Sequence, residues 1–213
     1  MVMDNVGTRN RQEWFKDTAL FGLVIVVSCL YFVFNIPHSS IHVLMTGMDN
    51  QIPRIPAFTI PYLVFLPWLW GVIFYSWLKN RSFRQLAYSV IIVNLVAFCV
   101  YLLAQTYVPR DLITSSDFFS NLLQFIYNHD QPYNAFPSLH SALSVVVATY
   151  FVCRKSRWSW MFILSAGVII ASTLLIKQHS ITDAVSGIIL GSFVTWLVFH
   201  CVKVGTQPTI DSI

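Results

Sequence analysis

Charge is what this sequence has least of. Of its 213 residues only 10% are Asp, Glu, Lys or Arg, against 56% hydrophobic and 15% aromatic. So few ions cannot clothe an ordinary soluble globule, which excludes that class. The net charge of +4 comes from thirteen basic residues scattered along the chain, with no patch or motif that points to a nucleic-acid partner. Cysteine is scarce too: Cys29, Cys99, Cys153 and Cys201 lie inside or at the ends of apolar runs. Their spacing excludes a cysteine metal site, and they read as buried apolar side chains. Internal repeats, low-complexity tracts and a second domain are absent, and the tail after Lys203 is too short to fold alone.

Long apolar runs are what the chain does have, near 18–36, 60–78, 86–107, 138–153, 159–176 and 181–202. A bilayer-spanning helix needs about 20 apolar residues, so these runs predict an all-α fold, a polytopic membrane protein. It is a single domain over 1–213, a bundle of six transmembrane helices. The first run follows Arg9, Arg11 and Lys16, but its core is too long for a secretory signal and "NIPHSS" offers no cleavage site, so it reads as a retained anchor.

Basic residues collect in cytoplasmic loops. With both termini cytoplasmic, Arg9, Arg11, Lys16, Lys79, Arg81, Arg84, Arg154, Lys155, Arg157 and Lys203 all fall inside, leaving Arg54, Arg110 and Lys177 on the outer face. The inner connections are short and basic. The outer loop 37–59 carries His38, His42, Pro37, Gly47, Pro53 and Pro56, which predict irregular backbone. In the outer loop 108–137, Phe118, Leu122 and Phe125 recur at helical spacing behind an Asp117 cap, predicting a short helix on the membrane surface or over a cavity. Trp68, Trp70 and Trp77 share one run and read as packing and interfacial residues.

Two short stretches, "NAFPSLH" and "KQHSITD", hold ionisable residues at the edges of apolar runs, where they are costly and therefore point to function. His179 and Asp183 are four apart, so on a helix they share a face and the carboxylate can accept the ring N–H. That fixes the tautomer and leaves the other nitrogen as base or nucleophile. His140 stands three residues after Pro137 at a predicted helix start, whose free N–H groups form an anion site to which Ser138 adds its hydroxyl and amide. Taken singly, Ser138 also reads as a plain cap, His140 as an interfacial residue, and Arg110 or Lys177 as a snorkelling cation. Charge topology puts all six residues on one side, which independent residues do not require, and converging cations suit a phosphoryl group.

The ordered set Arg110, "PSLH" and "HSITD" resembles the type 2 phosphatidic acid phosphatase superfamily of membrane lipid phosphatases and phosphotransferases. The resemblance covers about 105–191 and the six-helix layout. It implies that His179 attacks phosphorus, Asp183 orients it, His140 protonates the leaving alkoxide, and Arg110 and Ser138 bind phosphate, with no metal and no cofactor. The sequence departs from the family pattern in four places: Leu139 replaces a Gly, Asp111 replaces a Pro, Leu103 stands where a Lys is expected, and Ser172-Thr173 stand where a Ser-Arg pair is expected. Lys177 then reads as a substitute phosphate ligand, similar to the sphingomyelin synthase and inositol phosphorylceramide synthase branch. The implied activity is hydrolysis of a lipid phosphate or pyrophosphate at the outer face of the cell membrane. Head-group transfer to an alcohol, and non-catalytic binding or transport, are the competing readings.

Overall fold

The computed structural model describes residues 10–37, 41–79 and 82–202. Arg9, His38, Arg81 and Lys203 lie outside the described residues. The chain is mostly helical, with α1 (Arg11–Phe34), α2 (Gly47–Gln51), α3 (Thr59–Lys79), α4 (Phe83–Leu103), α5 (Phe118–His129), α6 (Leu139–Cys153), α7 (Ser159–Leu175) and α8 (Ile181–Cys201). Two strands of two residues each, β1 (Ile41–His42) and β2 (Gln105–Thr106), pair in parallel and tie the segment after α1 to the end of α4.

The six predicted runs correspond to α1, α3, α4, α6, α7 and α8. Four segments among the described residues are long and apolar enough to cross a membrane: α1, Pro56–Lys79, α4 and α8. The other two are shorter, 15 residues in α6 and 17 in α7. Large apolar side chains such as Leu66, Phe74, Ile163, Leu164, Ile189 and Phe193 are exposed along the helix exteriors. An apolar exterior on helices of this length is that of an integral membrane protein.

α6 is the hub, packed on α8 and α7, while α4 packs on α1, α6 and α8. The buried core runs through Leu86, Val90, Val93 and Ala97 of α4 and Ala142, Val146, Val147 and Tyr150 of α6. At one end Arg84 pairs with the buried Asp17 at 2.5 Å, Arg154 donates to the Ser82 hydroxyl at 2.5 Å, and Trp14 packs edge-on against Trp77. The opposite end carries β1, β2, α2, α5 and the starts of α6 and α8.

The expected burial of the cysteines is corrected. Cys29, Cys99 and Cys201 are exposed and Cys153 is half-buried. In a chain whose outer helix faces are as apolar as its core, membership of an apolar run does not imply an inward position. The tryptophans pack as expected: Trp70 and Trp77 lie against Phe21, and Trp68 against Phe162. α5 starts at Asp117, whose carboxylate accepts the amides of Phe119 and Ser120. The hydroxyls of Ser120 and Ser115 also donate to it, and together these bonds hold its carboxyl well below the usual range. Phe118 and Phe125 face outward from α5, while Leu123 and Ile126 are buried against Tyr62 and Ile176.

Candidate functional site

The site is assembled where two helix starts meet. Ser180 caps α8 and forms a reciprocal box with Asp183: the Asp183 amide donates to the Ser180 hydroxyl at 3.2 Å, and the Ser180 amide donates to Asp183 Oδ2 at 2.7 Å. Ser138 caps α6, accepting the Ser141 amide at 3.3 Å. The two starts are joined directly, because the Ser138 amide donates to the Asp183 carbonyl at 3.0 Å.

Glycine permits this contact. Gly187 and Gly191 stand one turn apart on α8, and a Cβ on them would fall 2.4 Å from the Ser138 carbonyl oxygen and 2.3 Å from that of Ala142. Small residues at four-residue spacing let helix backbones approach this closely. The "GIILG" spacing is visible in the sequence and was the one available signal for the α6–α8 contact.

α7 ends in the turn that presents His179. The Gln178 amide donates to the Thr173 carbonyl at 2.9 Å and the Lys177 amide to the Leu174 carbonyl at 3.1 Å, a Schellman ending with Lys177 in the left-handed region at φ 56°. His179 Nδ1 then lies 3.1 Å from the Ala135 carbonyl and 3.9 Å from Asp183 Oδ2. The expected ring-to-Asp183 hydrogen bond is therefore replaced. Asp183 Oδ2 is committed to the Ser180 amide, and its Oδ1 is buried without a partner. Because a carbonyl can only accept, Ala135 requires the proton on Nδ1, which leaves a lone pair on Nε2. Asn134, also left-handed at φ 58°, sets the direction of the Ala135 peptide.

His140, in the first turn of α6, stacks on Tyr62 with centroids 4.4 Å apart and lies 4.5 Å from Phe65, both on α3. Its ring is 5.7 Å from that of His179. The Tyr62 hydroxyl donates to Asp130 Oδ2 at 2.5 Å, and Asp130 Oδ1 accepts from Tyr31 at 2.8 Å and Asn35 at 3.0 Å. Asp130 thus links α1, α3 and α5 behind His140. Nothing in the local sequence marks it, since its partners stand 68 to 99 residues away.

Arg110 is half-buried over the Tyr127 ring, 4.5 Å from its centroid. It donates to the carbonyls of Asp130 at 2.8 Å and Tyr127 at 3.3 Å, and to Gln178 Oε1. Burial pulls its guanidinium below the usual arginine value, and the neighbouring Asp130 acts in the opposite sense. Lys177 turns elsewhere: its ammonium donates to the Asp49 carbonyl at 2.7 Å. Asp49 in turn accepts the Ile181 amide at 2.7 Å and the amide and hydroxyl of Thr46 at 2.7 and 2.8 Å, so α2 is strapped across the start of α8. Burial raises the Asp49 carboxyl, but those hydrogen bonds and Lys177 outweigh it and hold the group below its usual value.

The six residues expected at the site, Arg110, Ser138, His140, Lys177, His179 and Asp183, therefore lie at one end of the bundle, with Lys177 turned toward α2. Sequence reasoning missed Tyr62, Asp130, Gln178, Asp49 and the glycine contact. Among the described residues no group of three His, Cys, Asp or Glu is placed to hold a metal ion.

Residues 34–197, more than half of the chain, match the family model described as the PAP2 superfamily. No curated protein and no solved structure matches the chain significantly.

Proposed function

The chain belongs to the PAP2 superfamily, and from that premise we propose that it is a membrane lipid phosphatase working through a phosphohistidine on His179. The observation that carries the reading is the His179 ring, whose Nδ1 is held by the Ala135 carbonyl so that Nε2 keeps its lone pair beside His140. In this reading Nε2 attacks phosphorus and the bond to the leaving lipid oxygen breaks as His140 protonates that oxygen. Water then adds to the phosphohistidine while neutral His140 takes its proton, and the P–N bond breaks to release phosphate. Asp183, 3.9 Å from Nδ1, stabilises the imidazolium through space rather than by a hydrogen bond.

Arg110 and the first amides of α6 bind the phosphoryl oxygens, with the Ser138 hydroxyl as a further donor. The Ser138 amide is already used on Asp183. Lys177 acts through its tether to Asp49, keeping α2 over the site rather than taking the place of an arginine. The six-span count, both termini in the cytoplasm and an outward-facing site at the cell membrane complete the proposal. It is supported by the basic residues Arg11, Lys16, Lys79, Arg84, Arg154, Lys155 and Arg157 at the end of the bundle away from His140 and His179.

The test is phosphate release from a panel of lipid phosphates and pyrophosphates by the purified full chain in detergent with EDTA. Release by the wild type and none by His179→Ala is the expected result. No release from any lipid, or equal release by the variant, refutes the phosphatase. Adding an alcohol acceptor to the same assay separates hydrolysis from head-group transfer, because both share the phosphohistidine.

A further inference from the structure

We propose that the side-chain amide of Gln178 is a direct ligand of the substrate's non-bridging phosphoryl oxygens; this rests on the phosphatase reading and names a contact within that site. Gln178 immediately precedes His179, and the amides of both residues donate to the Thr173 carbonyl, at 2.9 and 3.2 Å, so the two side chains leave one rigid turn. The residue is only 4% exposed. Its Oε1 accepts from Arg110 Nη2. A guanidinium can only donate, so this contact fixes which end of the carboxamide faces Arg110 and turns the NH2 group away from it.

That NH2 group is buried without a partner, and so is Arg110 Nε on the adjoining side chain. Buried donors are nearly always paired, and two unpaired donors on touching side chains beside a nucleophilic histidine call for an acceptor-rich ligand. A phosphoryl group supplies such acceptors. Of the other four N–H groups of Arg110, the two on Nη1 go to the carbonyls of Asp130 and Tyr127 and one on Nη2 goes to Gln178 itself. Gln178 therefore extends the reach of Arg110 and does so without adding charge.

Gln178→Glu separates a ligand from a scaffold. A carboxylate still accepts from Arg110, so a purely structural role survives the change; a carboxylate has no N–H to give and repels phosphate, so a ligand role does not. The measurement is inhibition of lipid-phosphate turnover by inorganic phosphate and orthovanadate, with the thermal midpoint followed in parallel, on the full chain in detergent. The expected result is an unchanged midpoint with affinity for both anions weakened about ten- to a hundredfold, the equivalent of one lost hydrogen bond to a charged group. Wild-type affinity in the variant overturns the proposal, and so does a loss of affinity that only follows a loss of stability. If the wild type itself turns over lipid phosphate yet neither anion inhibits it, Gln178 is no phosphate ligand; if it does neither, the phosphatase reading fails first.

Discussion

Gly187→Ala tests how closely the chemistry depends on the α6–α8 contact. The new methyl would stand 2.4 Å from the Ser138 carbonyl oxygen, 2.9 Å from Ser141 Cβ and 3.1 Å from the Ala142 amide nitrogen, against ordinary contact from 3.4 Å. Two of these three neighbours are backbone, so no side chain can swing aside and the helices must part by about 1 Å. Two effects compete. Alanine gains up to about 1 kcal/mol over glycine in helix propensity, while overpacking costs about 1–3 kcal/mol. The clash wins, for a net loss of about 1–2 kcal/mol. The larger effect is on activity, because Ser138 is the cap of the helix that carries His140, and a misplacement of about 1 Å in a reacting pair costs on the order of a hundredfold. Lipid-phosphate turnover and thermal unfolding in detergent give the readout, with Gly71→Ala and Gly167→Ala as controls, since nothing lies within 4 Å of a Cβ at either. Controls with wild-type turnover and equal or higher stability are expected. A Gly187→Ala protein indistinguishable from those controls would refute the argument.

Tyr62→Phe keeps the stack on His140 but removes one of three donors to Asp130; a loss of about 1–3 kcal/mol in thermal stability and a several-fold fall in turnover are expected, with Tyr62→Leu worse on both counts. Asp49 has a folded-state pKa below its unfolded value, so its stabilisation is complete above the unfolded carboxylate range and is lost as pH falls through the lower folded value. Wild-type stability should therefore drop between about pH 5 and the acid limit more steeply than that of Asp49→Asn, as read by thermal midpoints across that range. Lys177→Ala should lower stability by about 1 kcal/mol through loss of the tether to Asp49, with phosphate affinity nearly unchanged; a large rise in the inhibition constant for phosphate would instead make Lys177 a ligand.

The helices were legible because their signals are local. Apolar runs place α3, α6, α7 and α8 within a few residues of their observed ends, and the Asp117 cap with helical spacing behind it locates α5. Which face of a helix turns inward was less legible in a chain apolar on both sides: Phe118 and Phe125 of α5 point out while Leu123 and Ile126 point in. The partners of the expected site residues were beyond reach for another reason. Lys177 meets Asp49 across 128 positions and Arg110 meets Gln178 across 68, and no periodicity encodes such pairings. The His179–Asp183 spacing illustrates the limit well. It is right for a hydrogen bond on a helix, yet His179 precedes the helix and the Asp183 carboxylate is taken up in the capping box with Ser180, so the ring turns to Ala135.

The unequal lengths of the helices bear on why so few cations surround the histidines. Arg154, just past the end of α6, bonds Ser82, just before the start of α4, so the end of α6 and the start of α4 stand level at the basic end. From there α4 rises about 32 Å over 21 residues and α6 only about 22 Å over 15, at 1.5 Å per residue. The start of α6, and His140 with it, thus stops about 9 Å short of the end of α4, below the level of β2 and walled by Tyr62 and Phe65. In water two unit charges 4 Å apart interact by about 1 kcal/mol, and at the effective dielectric of a partly buried site by about 4 kcal/mol. One recessed guanidinium at Arg110, together with neutral donors held in place, can therefore do the electrostatic work that several cations would be needed for at an exposed surface. The short helix supplies by depth what the departures at Leu103 and Thr173 remove in number.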